Sequence, residues 1–173
     1  MTAKEYLNKG IEYYNNEDED KAIVELTEAL RLEPNLTEAK KYLALSYFYR
    51  GDLSYHKGDR NQAIDDFTKA TEYNNTEPQF LGALAVALSE KEDFDKSIEA
   101  WSAFIEIDNT AVGYHNRAVD YYRKSKKYLL SGDKDNYHKC LELTIKDLKN
   151  CLTHNPDNER REIVQKQLKA INN

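Results

Sequence analysis

Five residues at fixed spacing recur along the chain, and this recurrence constrains the fold more than any other feature. Tyr6, Gly10, Ala22, Leu26 and Ala29 form the first set; Tyr47, Gly51, Ala63, Phe67 and Ala70 repeat it at the same offsets of 4, 16, 20 and 23. Leu81, Ala85, Ser97, Trp101 and Phe104 form a third set, 34 residues after the second. A period in this range belongs to repeat architectures, in which one supersecondary unit buries its apolar face against the next. Stacked repeats build extended concave surfaces that hold partners, so the same feature also narrows function.

Apolar residues at helical spacing, separated by breakers, predict helices over 3–15, 19–32, 37–57, 60–73, 77–91, 94–107, 111–131, 134–154 and 157–171. Pro34 and Pro156 follow helices they cannot continue, and Gly58-Asp59 and Gly132-Asp133 are turn pairs. Thr2 with Glu5 and Thr76 with Gln79 read as capping boxes, the latter with Pro78 in its first turn. Asp59 with Gln62 is a similar start, and Asp93 is placed to cap the helix from Phe94. Only 6 Gly and 3 Pro leave little material for strand-rich structure, so the expected fold class is all-α.

The pattern resembles the tetratricopeptide repeat (TPR), a 34-residue pair of antiparallel helices. The first repeat carries the likeness best, through Tyr6, Leu7, Gly10, Tyr13, Ala22, Leu26, Ala29 and Pro34. Gly10 and Ala22 are small where two helices must approach, Ala29 is small where the next repeat packs, and Tyr6, Tyr13 and Leu26 supply bulk. The resemblance implies a right-handed superhelix of helical hairpins, read here as one domain over 1–173. Its repeats fall at about 3–36, 37–77, 78–110 and 111–156, with a capping helix at 157–171.

Departures from the period are equally specific. Tyr6 to Tyr47 is 41 residues, so 37–43 adds two helical turns while keeping the apolar face nearly in phase. In the last repeat Tyr137, Leu141 and Thr144 arrive seven residues late, and Thr144, Leu148 and Cys151 repeat the set seven later still. Both helices of that hairpin are therefore expected to be two turns longer. Phe104 stands where the family prefers Ala, which leaves the packing after the third repeat open. Ile163, Val164, Leu168 and Ile171 give the last helix an apolar side with which to cover the final hairpin.

Charge and chemistry exclude more than they suggest. A net charge of −6 argues against a nucleic-acid partner. The apolar runs are far short of the roughly 20 residues a membrane span needs, so no membrane association is expected. The start lacks the apolar core of a secretory signal, and the expectation is a cytoplasmic protein, a removed leader being the alternative left open. Residues 111–173 carry 13 Lys+Arg against 8 Asp+Glu, a net of +5, which leaves 12 against 23, a net of −11, in 1–110. Cys140 and Cys151 lie about 16 Å apart along one helix, too far for a disulfide, and read as packing residues in a reducing compartment. His56, His115, His138 and His154 share no ligand spacing with Cys or Asp, so no metal is expected. Glu17-Asp18-Glu19-Asp20 reads as a solvated helix start. No phosphate loop, nucleophile elbow or triad is present, so neither cofactor nor enzymatic activity is expected.

The resemblance implies that the first helix of each hairpin lines the concave face. The family's inward positions fall on Leu7, Ile11 and Tyr14, then Leu45, Phe48, Asp52, Tyr55 and His56, then Gly82, Val86 and Ser89, then His115, Val119 and Tyr122. This stripe is apolar and aromatic, a composition suited to anchoring a peptide or helical segment. Co-chaperones of the family hold acidic C-terminal tails in a clamp of Lys, Asn, Asn, Lys and Arg; the matching places here are Leu7, Ile11, Tyr42, Gly82 and Val86. None of these five can play that role. The expected function is a non-enzymatic protein-interaction module, scaffold or adaptor, monomeric or weakly homo-oligomeric, with a protein or peptide partner. Head-to-tail self-assembly through the uneven charge, and a secretion-type chaperone for a dedicated client, are the alternatives.

Overall fold

Every predicted helix forms, with ends shifted by no more than one residue. The computed structural model describes residues 1–171, and among them nine helices and no strands occur. In chain order these are α1 (Ala3–Asn15), α2 (Glu19–Leu32), α3 (Thr37–His56), α4 (Arg60–Tyr73), α5 (Pro78–Glu90), α6 (Phe94–Ile107), α7 (Ala111–Ser131), α8 (Lys134–Thr153) and α9 (Asn158–Ile171). The chain divides inside α5 into a first unit, Met1–Ala87, and a second beginning at Leu88.

The hairpin turns share one design. Glu17, Gly58, Glu92 and Gly132 each take a left-handed backbone conformation. The next residue, Asp18, Asp59, Asp93 or Asp133, returns its N–H to a carbonyl five residues back, on Tyr13, Ser54, Leu88 and Tyr128. That bond closes the first helix in a Schellman-type turn. The same aspartate then caps the second helix, its side chain accepting from the N–H of Lys21, Gln62, Lys96 or Asn136. Thr2 and Glu5 form the expected capping box on α1. Thr76 instead donates its hydroxyl to Asn74 Oδ1 at 2.8 Å, and Pro78 is the first residue of α5.

In the first unit, a Cβ added at Gly10 would lie 2.5 Å from Leu26 Cγ, and one at Gly51 would lie 2.9 Å from Phe67 Cδ1. The small members of the recurring set thus seat the large ones at each helix crossing. Leu7, Ala22, Leu26, Ala29, Ala39 and Leu43 form one cluster of the core, and Ala44, Phe48, Ala63, Phe67, Ala70 and Phe80 form the next. α3 runs 20 residues against 13 for α1, the two added turns predicted from the 41-residue spacing.

In the second unit, α7 and α8 run 21 and 20 residues, so the long final hairpin forms as expected. Of the two overlapping sets in α8, Thr144-Leu148-Cys151 is the one that packs: Leu148 and Cys151 share a core with Ala118 and Ala111. Tyr137 and Leu141 are only half-buried. Phe104, bulky where the family prefers Ala, is accommodated by Gly113, where a Cβ would come within 2.9 Å of Phe104 Cδ1. Val164 of α9 is fully buried in the Ala118–Leu148–Cys151 core, with Leu168 and Ile171 packed against it. Ile163, by contrast, is exposed, because it lies about 100° around the helix from the 164, 168, 171 stripe.

A feature absent from the sequence reading ties together the two helices within a hairpin. Arg50 grips Asp66 through two bonds of 2.9 and 2.7 Å, and Arg117 grips Asp147 through two of 2.7 and 2.9 Å. In α1 and α2 the same places hold Lys9 and Glu25, 3.7 Å apart. Each pair stands one residue before a small-on-large contact: Gly10 on Leu26, Gly51 on Phe67, Ala118 on Leu148. The third repeat carries Leu84 and Ala100 at these positions.

Candidate functional site

The inward positions fall into two groups, one in each unit. In the first unit, an open cleft of about 820 Å³ lies between the α1–α2 turn and the second half of α3. Tyr14, Asn15, Glu17 and Glu19 line it from the first hairpin, and Tyr49, Asp52, Leu53 and His56 line it from α3. Of the sequence-derived candidates this cleft gathers Tyr14, Asp52 and His56. Tyr14 meets Tyr42 edge-on at 5.3 Å and Tyr49 at 6.0 Å, ring centre to ring centre. Burial, reinforced by the neighbouring Tyr49 hydroxyl, pushes the Tyr14 phenol above its ordinary pKa, so it stays neutral. His56 Nδ1 lies 2.8 Å from the Asp52 carbonyl oxygen.

Other candidates of this unit belong to packing. Leu7 and Phe48 are 5% and 6% exposed, and Phe48 stacks on Phe80 at 4.9 Å and meets Phe67 at a tilt at 5.7 Å. They are core residues, not anchors on an open face. Ile11 and Leu45 are half-buried beside the same clusters. Tyr55 is half-buried under Arg60, whose guanidinium lies 4.0 Å from its ring centre. Val86 is exposed.

Tyr49 and Leu53 are the residues that the projection missed; they are 46% and 53% exposed. The helical interval was available: 49, 52, 53 and 56 fall at i, i+3, i+4 and i+7, one stripe of a helix face. The expected stripe through 45, 48 and 55 is turned about one residue too far toward the core. Glu17 and Glu19 were read only as a helix start, yet in that acidic run Asp18 provides the cap and Asp20 binds Arg50 at 2.8 Å. Glu17 and Glu19 remain on the cleft wall.

In the second unit, a smaller pocket of about 310 Å³ is bounded by α7, α8 and α9. Val119 and Tyr122 line it, as expected, together with Leu148, Ile171, Arg123 and Lys126. Lys126 Nζ sits 4.7 Å from the Tyr122 ring centre. His115 is turned to the capping helix, its Nε2 3.2 Å from Gln167 Oε1. Burial holds the His115 imidazole below its ordinary pKa, outweighing the Gln167 bond, which raises it. Ser89 is a buried pin: its hydroxyl donates to Asp120 and accepts from Arg123 Nη1 at 3.1 Å, while Ser97 donates to Asp120 at 2.6 Å. Burial raises the Asp120 pKa against those bonds.

Cys140 and Cys151 are free and buried in α8. Among the described residues no group of three His, Cys, Asp or Glu could hold a metal ion, and no helix is long and apolar enough to cross a membrane.

Paired helices, small-on-large crossings, a repeated left-handed turn and a covering last helix define an all-α helical-repeat protein. The tetratricopeptide-repeat profile matches residues 3–36 and 44–77, the first two hairpins. Those two hairpins are tetratricopeptide repeats. No curated protein matches its sequence. Among solved structures, the first TPR of Spaghetti (RPAP3), bound to the HSP90 peptide SRMEEVD, has a TM-score of 0.59 at 19% identity, over 75% of this chain and 90% of that one. The Arabidopsis OM64 TPR domain has a TM-score of 0.59 at 17% identity, over 76% and 98%. The N-terminal domain of stress-induced protein-1 from C. elegans has 0.54 at 20% identity, over 76% and 98%. At these identities the likeness is one of fold.

Proposed function

We propose that this protein is a non-enzymatic, cytoplasmic interaction module that captures a peptide or short helical segment of a protein partner. The observation that carries the reading is the open cleft of the first unit. Tyr49 and Leu53 are left about half in water there, with Tyr14 partly buried beside them, against an otherwise well-filled core. Tyrosine brings large area at low rotamer cost, which suits it to anchoring a peptide. The Spaghetti TPR with its bound HSP90 peptide supports peptide capture as something this fold does. Leu7, Ile11, Tyr42, Gly82 and Val86 at the clamp positions speak against the same acidic tail as ligand here. Two free, buried thiols agree with a reducing compartment.

Selection from a displayed random-peptide library tests this reading. The wild-type chain is expected to enrich a family of related peptides, and Tyr49→Ala with Leu53→Ala is expected to lose them while keeping its far-UV circular dichroism. A library that yields no enriched family, or peptides that bind the double variant equally well, would refute it. The uneven charge favours head-to-tail self-association as a second reading: residues 1–110 carry a net of −11 and residues 111–173 a net of +5. A monomer by light scattering at low salt and high concentration would remove it.

A further inference from the structure

We infer that the cleft of the first unit selects a cationic segment, one presenting an Arg or Lys side chain next to an apolar residue. This rests on the peptide-capture reading and names the chemistry of the partner. Three carboxylates, Glu17, Glu19 and Asp52, line the cleft, and no Lys or Arg is among its lining residues. Two basic groups that flank the lining residues in sequence are already committed, while Lys57, which follows His56, is exposed. Lys21 is held by Asp18 at 2.6 Å, and Arg50 is held by Asp66 and Asp20. Asp52 shares the cleft with His56, Oδ2 to Nδ1 at 3.5 Å; with three carboxylates against that one imidazole, the cleft keeps a net negative charge in a concave site, where field lines concentrate.

The second half of the argument is aromatic. The exposed Tyr49 ring is fixed edge-on by Phe48 at 5.4 Å and leans on Tyr14. A ring presented beside carboxylates is the arrangement that attracts a guanidinium or ammonium, through its quadrupole and through charge together. Leu53, just over half exposed on the same wall, offers the apolar contact for the neighbouring residue of the segment. The carboxylates discriminate against an acidic tail, which they would repel.

The probes are three acetylated, amidated peptides: Leu-Arg-Leu-Arg-Leu, its Gln counterpart with both Arg replaced, and its Glu counterpart. Each is titrated into the full chain by calorimetry at low and at physiological salt. The Arg peptide is expected to bind about tenfold or more tighter than the Gln peptide, with the margin shrinking as salt rises. The Glu peptide is expected to bind weakest. Glu19→Gln with Asp52→Asn, isosteric changes at solvent-facing positions, should remove most of the margin between the Arg and Gln peptides, with Glu17 alone left. Tyr49→Ala should weaken both.

Equal binding of the Arg and Gln peptides to the wild type, with both lost in Tyr49→Ala, would overturn the cation preference and leave peptide capture standing. Binding of all three peptides untouched by Tyr49→Ala would overturn both. Sedimentation without peptide supplies the remaining arm: a salt-sensitive oligomer abolished by the Glu19→Gln/Asp52→Asn variant would make a second copy the occupant and overturn the assignment to a foreign segment.

Discussion

The Arg50–Asp66 pair provides the sharpest energetic test of how the hairpins are built. Asp66 is 2% exposed in its side chain and both its oxygens are taken by Arg50, itself 27% exposed. Arg50→Leu strands a carboxylate away from water. Breaking a buried pair from one side costs about 3–5 kcal/mol. The partial exposure of Arg50 lets water approach, which places this case near the lower end, about 3 kcal/mol. The bond to Asp20, 80% exposed, adds at most about 0.5 kcal/mol.

The double change Arg50→Leu with Asp66→Ala puts onto α3 and α4 the residues that the third repeat carries as Leu84 and Ala100. With both charges gone, no desolvation penalty remains, and stability is expected within about 1 kcal/mol of wild type. Urea denaturation followed by circular dichroism at 222 nm should therefore report a coupling of at least about 2 kcal/mol across the four-variant cycle, any cost of Asp66→Ala alone adding to it. An Arg50→Leu cost below about 1 kcal/mol, or a double variant no better than Arg50→Leu, would refute the reasoning.

Gly58→Ala is expected to cost about 1 kcal/mol, although no atom lies within 4 Å of the added Cβ: at φ +88° the penalty comes from the backbone alone, and an unchanged melting temperature would contradict it. Gly113→Ala forces a Cβ to 2.7 Å from Ile105 Cγ1, so overpacking of about 1–3 kcal/mol should exceed the helix-propensity gain of about 1 kcal/mol; a rise in melting temperature would contradict it. His115, held below its ordinary pKa by burial, binds fewer protons folded than unfolded. Its contribution is thus intact above its unfolded pKa and lost as pH falls through the folded one. Replacement by Gln should flatten the decline in stability on the acid side of neutrality, and an unchanged pH profile of the urea midpoint would count against that role.

Much of the architecture was legible in the chain because it is written in local terms. Helix ends follow from Asp caps and turn residues that act within four or five positions. The seven-residue slips announced the long α3 and the long final hairpin, because two turns keep a face in phase. Tyr49 and Leu53 escaped notice for a different reason. Which stripe of a helix faces water depends on its rotation against its neighbours, and Phe48, packed between Phe67 and Phe80, turns α3 by about one residue from the expected stripe. His115 and Ser89 likewise looked available until Gln167 and Asp120 were found to hold them.

The helices, their pairing into hairpins and their unequal lengths follow from the order of residues, since period, caps and breakers are properties of neighbours along the chain. Tertiary structure alone decided which of two equivalent registers in α8 packs, how Gly113 makes room for Phe104, and which acids are spent on Arg50 and Arg117. It also left Glu17, Glu19 and Asp52 facing a cleft beside Tyr49. Those outcomes depend on what lies opposite each side chain, and residues on different helices, from 16 positions apart (Arg50 and Asp66) to 30 (Arg117 and Asp147), meet only once the helices have packed.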